Sequence, residues 1–180
     1  MSRVAQVVLL CEDQQQKVFF YRLLKRLGYS QWDIHIRQIP EGKQSAEQYV
    51  REHYPEEVKG HRLNTVSCCL VVGIDADRYT CKQRYTQLEN ALTHESMPNR
   101  QSVEPIAIFI PKRNIETWIK FLLDGGTVNE DTVYPHLAGH ESDCHPAVDR
   151  FLEFAKQVPP PINCPPSMLQ GFEELQRIPK

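Results

Sequence analysis

Two carboxylates stand one residue apart at the end of the most apolar stretch of the chain. The stretch covers residues 68–74, and Asp75 and Asp77 follow it. Two close negative charges repel each other unless a cation or a proton offsets them. Carboxylate oxygens suit a hard ion such as Mg²⁺ or Mn²⁺ better than they suit zinc. The pair therefore predicts a metal site, and the alternative is a solvated turn with Asp77 near a helix N-cap.

Acidic residues also follow two other apolar runs. Residues 4–10 are followed by Glu12, and residues 105–110 are followed, after a short turn, by Glu116. In a parallel sheet the carboxyl ends of the strands share one edge, so we expect these two acids and the Asp pair to converge there. For Glu116 the alternative is a purely structural role, because an acid in the first turn of a helix interacts favourably with the helix dipole.

The three apolar runs predict the elements that would position these acids. None of them alternates with polar residues, which is typical of strands that are covered by helices on both faces. We expect the runs that begin near Val4, Val66 and Pro105 to be adjacent central strands of a mainly parallel, Rossmann-like α/β sheet. Residues 32–37 do alternate and predict an edge or half-exposed strand.

Apolar residues recur at helical spacing between the strands. Helices are predicted over residues 15–27, 45–54, 81–94, 114–123 and 146–156, and from Ser167 onward. In the third of these, Lys82, Arg84 and Glu89 are expected to face outward. Residues 40–42 predict a turn and residues 55–64 a charged loop. We expect one domain over residues 1–180, with its core at about 4–123 and a helical extension at about 124–180.

Composition restricts the classes of partner. The chain has 180 residues and a formal net charge of -2, so any contact with nucleic acid would have to be local. No apolar run approaches the roughly 20 residues of a membrane span, and the N-terminus lacks a signal-peptide pattern. The six cysteines show no Cys-x-x-Cys spacing, which favours buried thiols in a reducing compartment. These features predict a cytoplasmic protein without a membrane partner.

The spacing of the acids resembles that of the toprim family, the domain shared by topoisomerases, primases, recombination-repair proteins and the overcoming-lysogenization-defect nucleases. Glu12 and Asp75-Ala76-Asp77 match its pattern, a Glu after the first strand and an Asp-x-Asp after a later one. Residues 110–118 resemble the Glu-containing strand-to-helix junction of small bacterial toprim-like proteins. The resemblance covers about residues 4–123. Family members commonly have Glu-Gly at the first motif, whereas Asp13 follows here, which changes backbone geometry and charge.

The resemblance implies a Mg²⁺- or Mn²⁺-dependent nuclease, or a related phosphodiester-processing protein, that acts on DNA or RNA and has a role in bacterial antiviral defence. Asp75 and Asp77 would bind the metal, Glu12 would act as a general acid or base or as a further ligand, and Glu116 would complete the shell. Lys112 and Arg113 would hold a substrate phosphate. The alternative for this basic pair is an ordinary solvated position at the start of a helix.

The sequence allows three alternatives to this interpretation. The first is a non-catalytic toprim-like binding or regulatory subunit with a protein partner, favoured by Asp13 and the near-neutral charge. The second, a haloacid-dehalogenase-type phosphatase, is less favoured, because its Asp-x-Asp usually lies on the first strand and Tyr79 stands where that family has Thr. The third is a zinc site, whose candidate ligands fit no common spacing; they are His136, His140, Cys144, His145 and Cys164.

Overall fold

Four parallel strands form the centre of the protein. The computed structural model describes residues 6–38, 45–64 and 67–179. The strands are β1 (Gln6–Cys11), β2 (Ile34–Ile36), β3 (Cys68–Gly73) and β4 (Ile106–Phe109), in the sheet order β2-β1-β3-β4. The predicted α/β class with a parallel sheet is thereby confirmed, as is the edge position of β2. The predicted turn at 40–42, and the residues Val4 and Val66, lie outside the described ranges.

Helices cover the sheet on both faces. They are α1 (Gln14–Arg26), α2 (Ala46–Leu63), α3 (Cys81–His94), α4 (Ile115–Asp124), α5 (His145–Phe154) and α6 (Pro166–Leu175), with a short 3₁₀ helix over Glu141–Cys144. Successive side chains of a strand point to opposite faces of the sheet. Leu9 and Val71 pack with α1, α4, α5 and α6, whereas Leu10 and Val72 pack with α2 and α3. Both faces of the strands are therefore apolar, which explains why their sequences lack alternation.

The predicted loop over 55–64 is wrong, because α2 continues through Pro55 to Leu63. Val50, Tyr54 and Val58 recur every four residues and are completely buried against the sheet. Burial of this apolar face outweighs the cost of a proline inside a helix, which propensity alone places at about 3 kcal/mol.

Strand β4 is adjacent to β3 as predicted, but it ends the described sheet instead of lying inside it. Its free edge is covered by side chains. The backbone nitrogen of Ile108 donates to Glu174 Oε2 at 2.8 Å, and Arg100 Nη1 donates to the carbonyl of Ile106 at 2.8 Å. Glu174 and Arg100 also pair with each other, at 2.9 Å between Oε1 and Nη2. The edge groups that would otherwise invite another strand are thus satisfied within the chain.

Two polar residues at the starts of predicted helices bond to other segments of the chain. Ser167 lies within the first turn of α6, where its buried hydroxyl accepts a hydrogen bond from Trp118 Nε1 at 2.8 Å and donates one to Glu130. Asn114 does hold the N-cap position of α4, but its side chain donates to the carbonyl of Tyr134 at 3.0 Å instead of capping the helix. Both side chains tie distant segments of the chain together.

None of the helices in the described ranges is both long and apolar enough to traverse a bilayer. The six cysteines all fall within those ranges and carry free thiols.

Candidate functional site

The carboxyl ends of β1 and β3 lie side by side, because Cys11 and Gly73 are partners in the sheet. The acids that follow these two strands meet directly. Glu12 Oε2 accepts a hydrogen bond from the backbone nitrogen of Asp75 at 2.8 Å. Two acidic residues that are 63 positions apart in the sequence are thereby joined at the sheet edge.

Gln16 connects the same two acids from the first turn of α1. Its Oε1 accepts from the backbone nitrogen of Glu12 at 3.1 Å, and its Nε2 donates to Asp75 Oδ1 at 2.8 Å. The side chain is fully buried. Sequence reasoning missed this residue, whose signal was its position in the first turn of the helix that directly follows Glu12.

Asp13, the departure from the toprim pattern, caps helix α1. Its carboxylate accepts from the backbone nitrogen of Gln16 at 2.8 Å. Its φ is −143°, an extended conformation that any residue can adopt, so the backbone here does not require glycine. Asp13 thus fits the turn and adds a negative charge beside the buried acids.

Gly73 allows this close arrangement. A Cβ at this position would lie 2.6 Å from Phe20 Cε2 and 2.9 Å from Gln16 Oε1, which is closer than van der Waals contact permits. The last residue of β3 must therefore lack a side chain for Gln16 to reach both acids.

The environment of the acids favours their protonated forms. Burial raises the pKa of Glu12 to about 7, with a further increase from Asp13, while the hydrogen bond from Asp75 acts in the opposite direction. Burial likewise raises the pKa of Asp75 well above its ordinary value, and the charges of Glu12 and Asp13 raise it further. Such acids are stabilised by uptake of a proton or of a cation.

Glu116, in the first turn of α4, is the third acid of the group. Its side chain is 3% exposed, and its Oε1 lies 2.6 Å from Nδ1 of the exposed His136. Burial raises the pKa of Glu116 and the bond to His136 opposes that shift, while its charge contributes to the raised pKa of Asp75. Within the described ranges its other oxygen, Oε2, is buried without a hydrogen-bond partner. We call Glu12, Asp75 and Glu116 the acidic site.

Asp77 does not join this group. Its backbone φ is +56°, in the left-handed region that Asp tolerates, and its side chain is 59% exposed. The carboxylate forms an ion pair with Arg113 at 3.4 Å. The structure joins Glu12 to Asp75, and the charge of Glu116 acts on Asp75, whereas the turn after Ala76 directs Asp77 to the surface.

The two predicted phosphate-binding cations lie at the mouth of the site but already have partners. Lys112 Nζ donates to the carbonyl of Tyr79 at 3.1 Å and pairs with the exposed Asp131 at 3.2 Å. Arg113 is held by Asp77. A substrate phosphate would have to compete with carboxylates that are largely solvated, which costs little.

The prediction that Arg84 and Glu89 face outward is wrong, because both are buried. Arg84 Nε donates to the backbone carbonyl of Asp75 at 2.9 Å, and its Nη1 pairs with Glu47 Oε2 at 2.6 Å. Arg84 is spaced four and eight residues from Leu88 and Leu92, and this spacing was the signal that it belongs to the inner face of α3.

The histidines and cysteines proposed for zinc have no common centre. His136 is bonded to Glu116, and Cys144 is buried in the main core. Across the ranges that the structure describes, no three His, Cys, Asp or Glu side chains are arranged as a ready-made metal site, and this includes the acidic site as it stands.

Comparisons with protein-family models, curated proteins and solved structures found no match to this chain.

Proposed function

We propose that this protein is a toprim-like, Mg²⁺- or Mn²⁺-dependent nuclease or a related enzyme that processes phosphodiester bonds of DNA or RNA. The observation that carries the proposal is the hydrogen bond from Asp75 N to Glu12 Oε2, which joins the acids of two parallel strands at the sheet edge where ligands bind. An association with antiviral defence rests on the family resemblance alone.

The chemistry of the acidic site fits a hard divalent cation. All of its donors are carboxylate oxygens, and Glu116 Oε2 is a buried oxygen that lacks a partner among the described residues. Burial, together with the charges of neighbouring acids, raises the pKa values of Glu12 and Asp75, and a bound cation would offset the cost of ionising them. Glu12, Asp75 and Glu116 would hold the ion, which when bound would stabilise negative charge on the phosphate oxygens.

Side chains of the protein would transfer the proton, orient Asp75 and bind the substrate phosphate. When it is not bound to the metal, Glu12 has a pKa of about 7 and can accept or donate a proton at neutral pH. Gln16 orients Asp75 through its amide. Lys112 and Arg113 would bind a substrate phosphate at the mouth of the site by exchanging their present carboxylate partners for it.

A non-catalytic binding or regulatory subunit is the second candidate. It is favoured by the internal hydrogen bonds of the two acids, since Glu12 Oε2 is occupied by Asp75 N and Asp75 Oδ1 by Gln16. Carboxyl groups held in this way, with raised pKa values, can remain stable by binding protons and need no metal. The two candidates differ in whether the acidic site performs chemistry.

A cleavage assay separates them. Single-stranded and duplex DNA and RNA are incubated with Mg²⁺, Mn²⁺ or EDTA and with wild type, Asp75→Asn, Asp77→Asn and the control Asp124→Asn on the exposed end of α4. We expect metal-dependent cleavage by wild type, a loss of about 100-fold or more in Asp75→Asn, and little change in the other two variants. Thermal stability that responds to Mg²⁺ without any cleavage would favour the binding subunit. Cleavage unaffected by Asp75→Asn would refute the role of the acidic site.

A further inference from the structure

A shallow groove lies beside the acidic site, on the first turns of α3. It encloses about 320 Å³ and is lined by Tyr79, Lys82, Gln83, Thr86 and Gln87. These positions recur at helical spacing and so form one continuous strip of surface. An aromatic ring, an amine, two amides and a hydroxyl line the groove, and none of these groups is acidic.

The groove begins at the mouth of the acidic site. The backbone nitrogen of Tyr79 donates to the carbonyl of Ala76 at 2.9 Å, in the turn that directly follows Asp75. The buried Arg84 links the two places, because its guanidinium lies 5.1 Å from the centre of the Tyr79 ring while its Nε donates to the carbonyl of Asp75 at 2.9 Å. A ligand on Tyr79 would therefore lie beside the turn that follows Asp75.

Cations surround the ring. Arg78 lies 5.4 Å from the centre of the Tyr79 ring, and Lys112 Nζ donates to the Tyr79 carbonyl at 3.1 Å. Arg78 and Lys82 are both exposed, and Arg78 Nη2 donates to the Tyr79 hydroxyl at 3.5 Å. Arg84 fixes the ring from the inside, whereas the exposed Arg78 can exchange its contact with the ring for a phosphate.

We propose that this groove, defined by Tyr79, Lys82, Gln83, Thr86 and Gln87, binds single-stranded nucleic acid and delivers it to the acidic site. A base would stack on Tyr79, and Lys82 and Arg78 would contact the flanking phosphates. The inference rests on the proposed function and names its substrate as a single strand. An aromatic side chain can stack only on a base that is not already stacked within a duplex. The positive surface is also short, as expected from a chain with a net charge of -2, and does not provide the long basic face that duplex binding uses.

The test measures binding separately from cleavage. A fluorescent oligothymidylate of about 12 nucleotides, and the corresponding duplex, are titrated with protein in Ca²⁺ and followed by fluorescence anisotropy. Tyr79→Ala removes the aromatic ring, and Tyr79→Phe keeps it. Lys82→Glu reverses a charge in the groove, and Lys59→Glu makes the same change on the exposed surface of α2 as the matched control. Circular dichroism verifies that each variant is folded.

We expect wild type to bind the single strand more tightly than the duplex. Tyr79→Ala should raise the Kd for the single strand about 5- to 150-fold, which corresponds to the stacking of one base, and Tyr79→Phe should bind like wild type. Lys82→Glu should weaken binding and lower the slope of log Kd against log salt by about one, and Lys59→Glu should change neither.

The outcomes distinguish this inference from the proposed function. The proposed role of the groove would be refuted if wild type and Tyr79→Ala bound the single strand equally. Equal binding of single strand and duplex by wild type would also refute it. Metal-dependent duplex cleavage that is unaffected by Tyr79→Ala would also overturn it, while the nuclease function would stand. Single-strand binding that requires Tyr79, without cleavage of any substrate, would support the groove and refute the nuclease.

Discussion

Glu12 Oε2 and the backbone nitrogen of Asp75 are 2.8 Å apart and hydrogen-bonded. The bond fixes the end of β1 against the end of β3. It also joins two acidic residues whose like charges repel each other. The arrangement persists in the folded protein because Gln16 bonds to both residues and because protons or a cation can reduce the charge. The stability of the protein should therefore depend on what occupies the acidic site.

The first prediction concerns pH. Burial raises the pKa of Glu12 from 4.5 to about 7, so the folded protein binds more protons than the unfolded chain between these values. The resulting stability is fully present below pH 4.5 and is lost as the pH rises through about 7. Urea unfolding in EDTA should show wild type losing on the order of 2 kcal/mol over this range, and Glu12→Gln should flatten the profile.

Glu104→Gln is the contrasting control for that experiment. The ion pair with Arg62 lowers the pKa of Glu104, so its contribution is present above the unfolded pKa and is lost as the pH falls. The variant should change the acid limb of the profile and leave the neutral limb as in wild type. If Glu12→Gln loses as much stability as wild type when the pH rises towards 7, burial does not raise the pKa of Glu12 as described.

The second prediction is that Asp75→Asn stabilises the metal-free protein. The substitution removes the cost of burying an ionisable acid beside Glu12 and Asp13, and the side-chain oxygen can still accept from Gln16. Calorimetry in EDTA should show a Tm higher by about 2–6 °C. Mg²⁺ should raise the Tm of wild type by mass action on the folded state and should have little effect on the variant. A wild-type Tm that is indifferent to both Mg²⁺ and Mn²⁺ would remove the metal from the proposal.

The third prediction compares two glycines. Gly73→Ala should destabilise the protein by about 1–3 kcal/mol, because its Cβ would collide with Phe20 and with the Gln16 oxygen. Gly60→Ala, in helix α2, meets nothing within 4 Å and should stabilise by about 0.5–1 kcal/mol. Chemical unfolding of both variants gives the comparison. A neutral Gly73→Ala would mean that Gln16 and Phe20 can move without cost.

The fourth prediction concerns the edge of the sheet. Glu174→Ala should cost about 3–5 kcal/mol, since it leaves the buried Arg100 without its carboxylate and the Ile108 nitrogen without an acceptor. Asp124→Ala removes the partner of Lys120 in an exposed pair and should cost less than about 1 kcal/mol. Urea unfolding measures both, and light scattering should detect association of Glu174→Ala through the opened edge. Equal costs in the two variants would refute the special role of this pair.

The strands and the fold class could be predicted from the sequence because buried parallel strands carry their own signal, an apolar run without alternation. Helix α3 was predicted with its observed bounds for a similar reason, the regular spacing of its leucines. Helix α2 was underestimated, because Pro55 and a charged surface suggested a loop. Only the packed structure reveals that burial of Tyr54 and Val58 against the sheet compensates for the proline.

The acids of the site could be proposed from the sequence because the carboxyl ends of parallel strands must share an edge. Glu12 and Asp75 are joined there, and the charge of Glu116 acts on Asp75. The sequence could not decide the fate of Asp77, since a single left-handed φ turns its side chain towards Arg113. Nor could it reveal Gln16, whose role arises when α1 packs beside the end of β3. Local patterns determine which residues reach the edge, whereas the contacts around them decide which side chains turn inward.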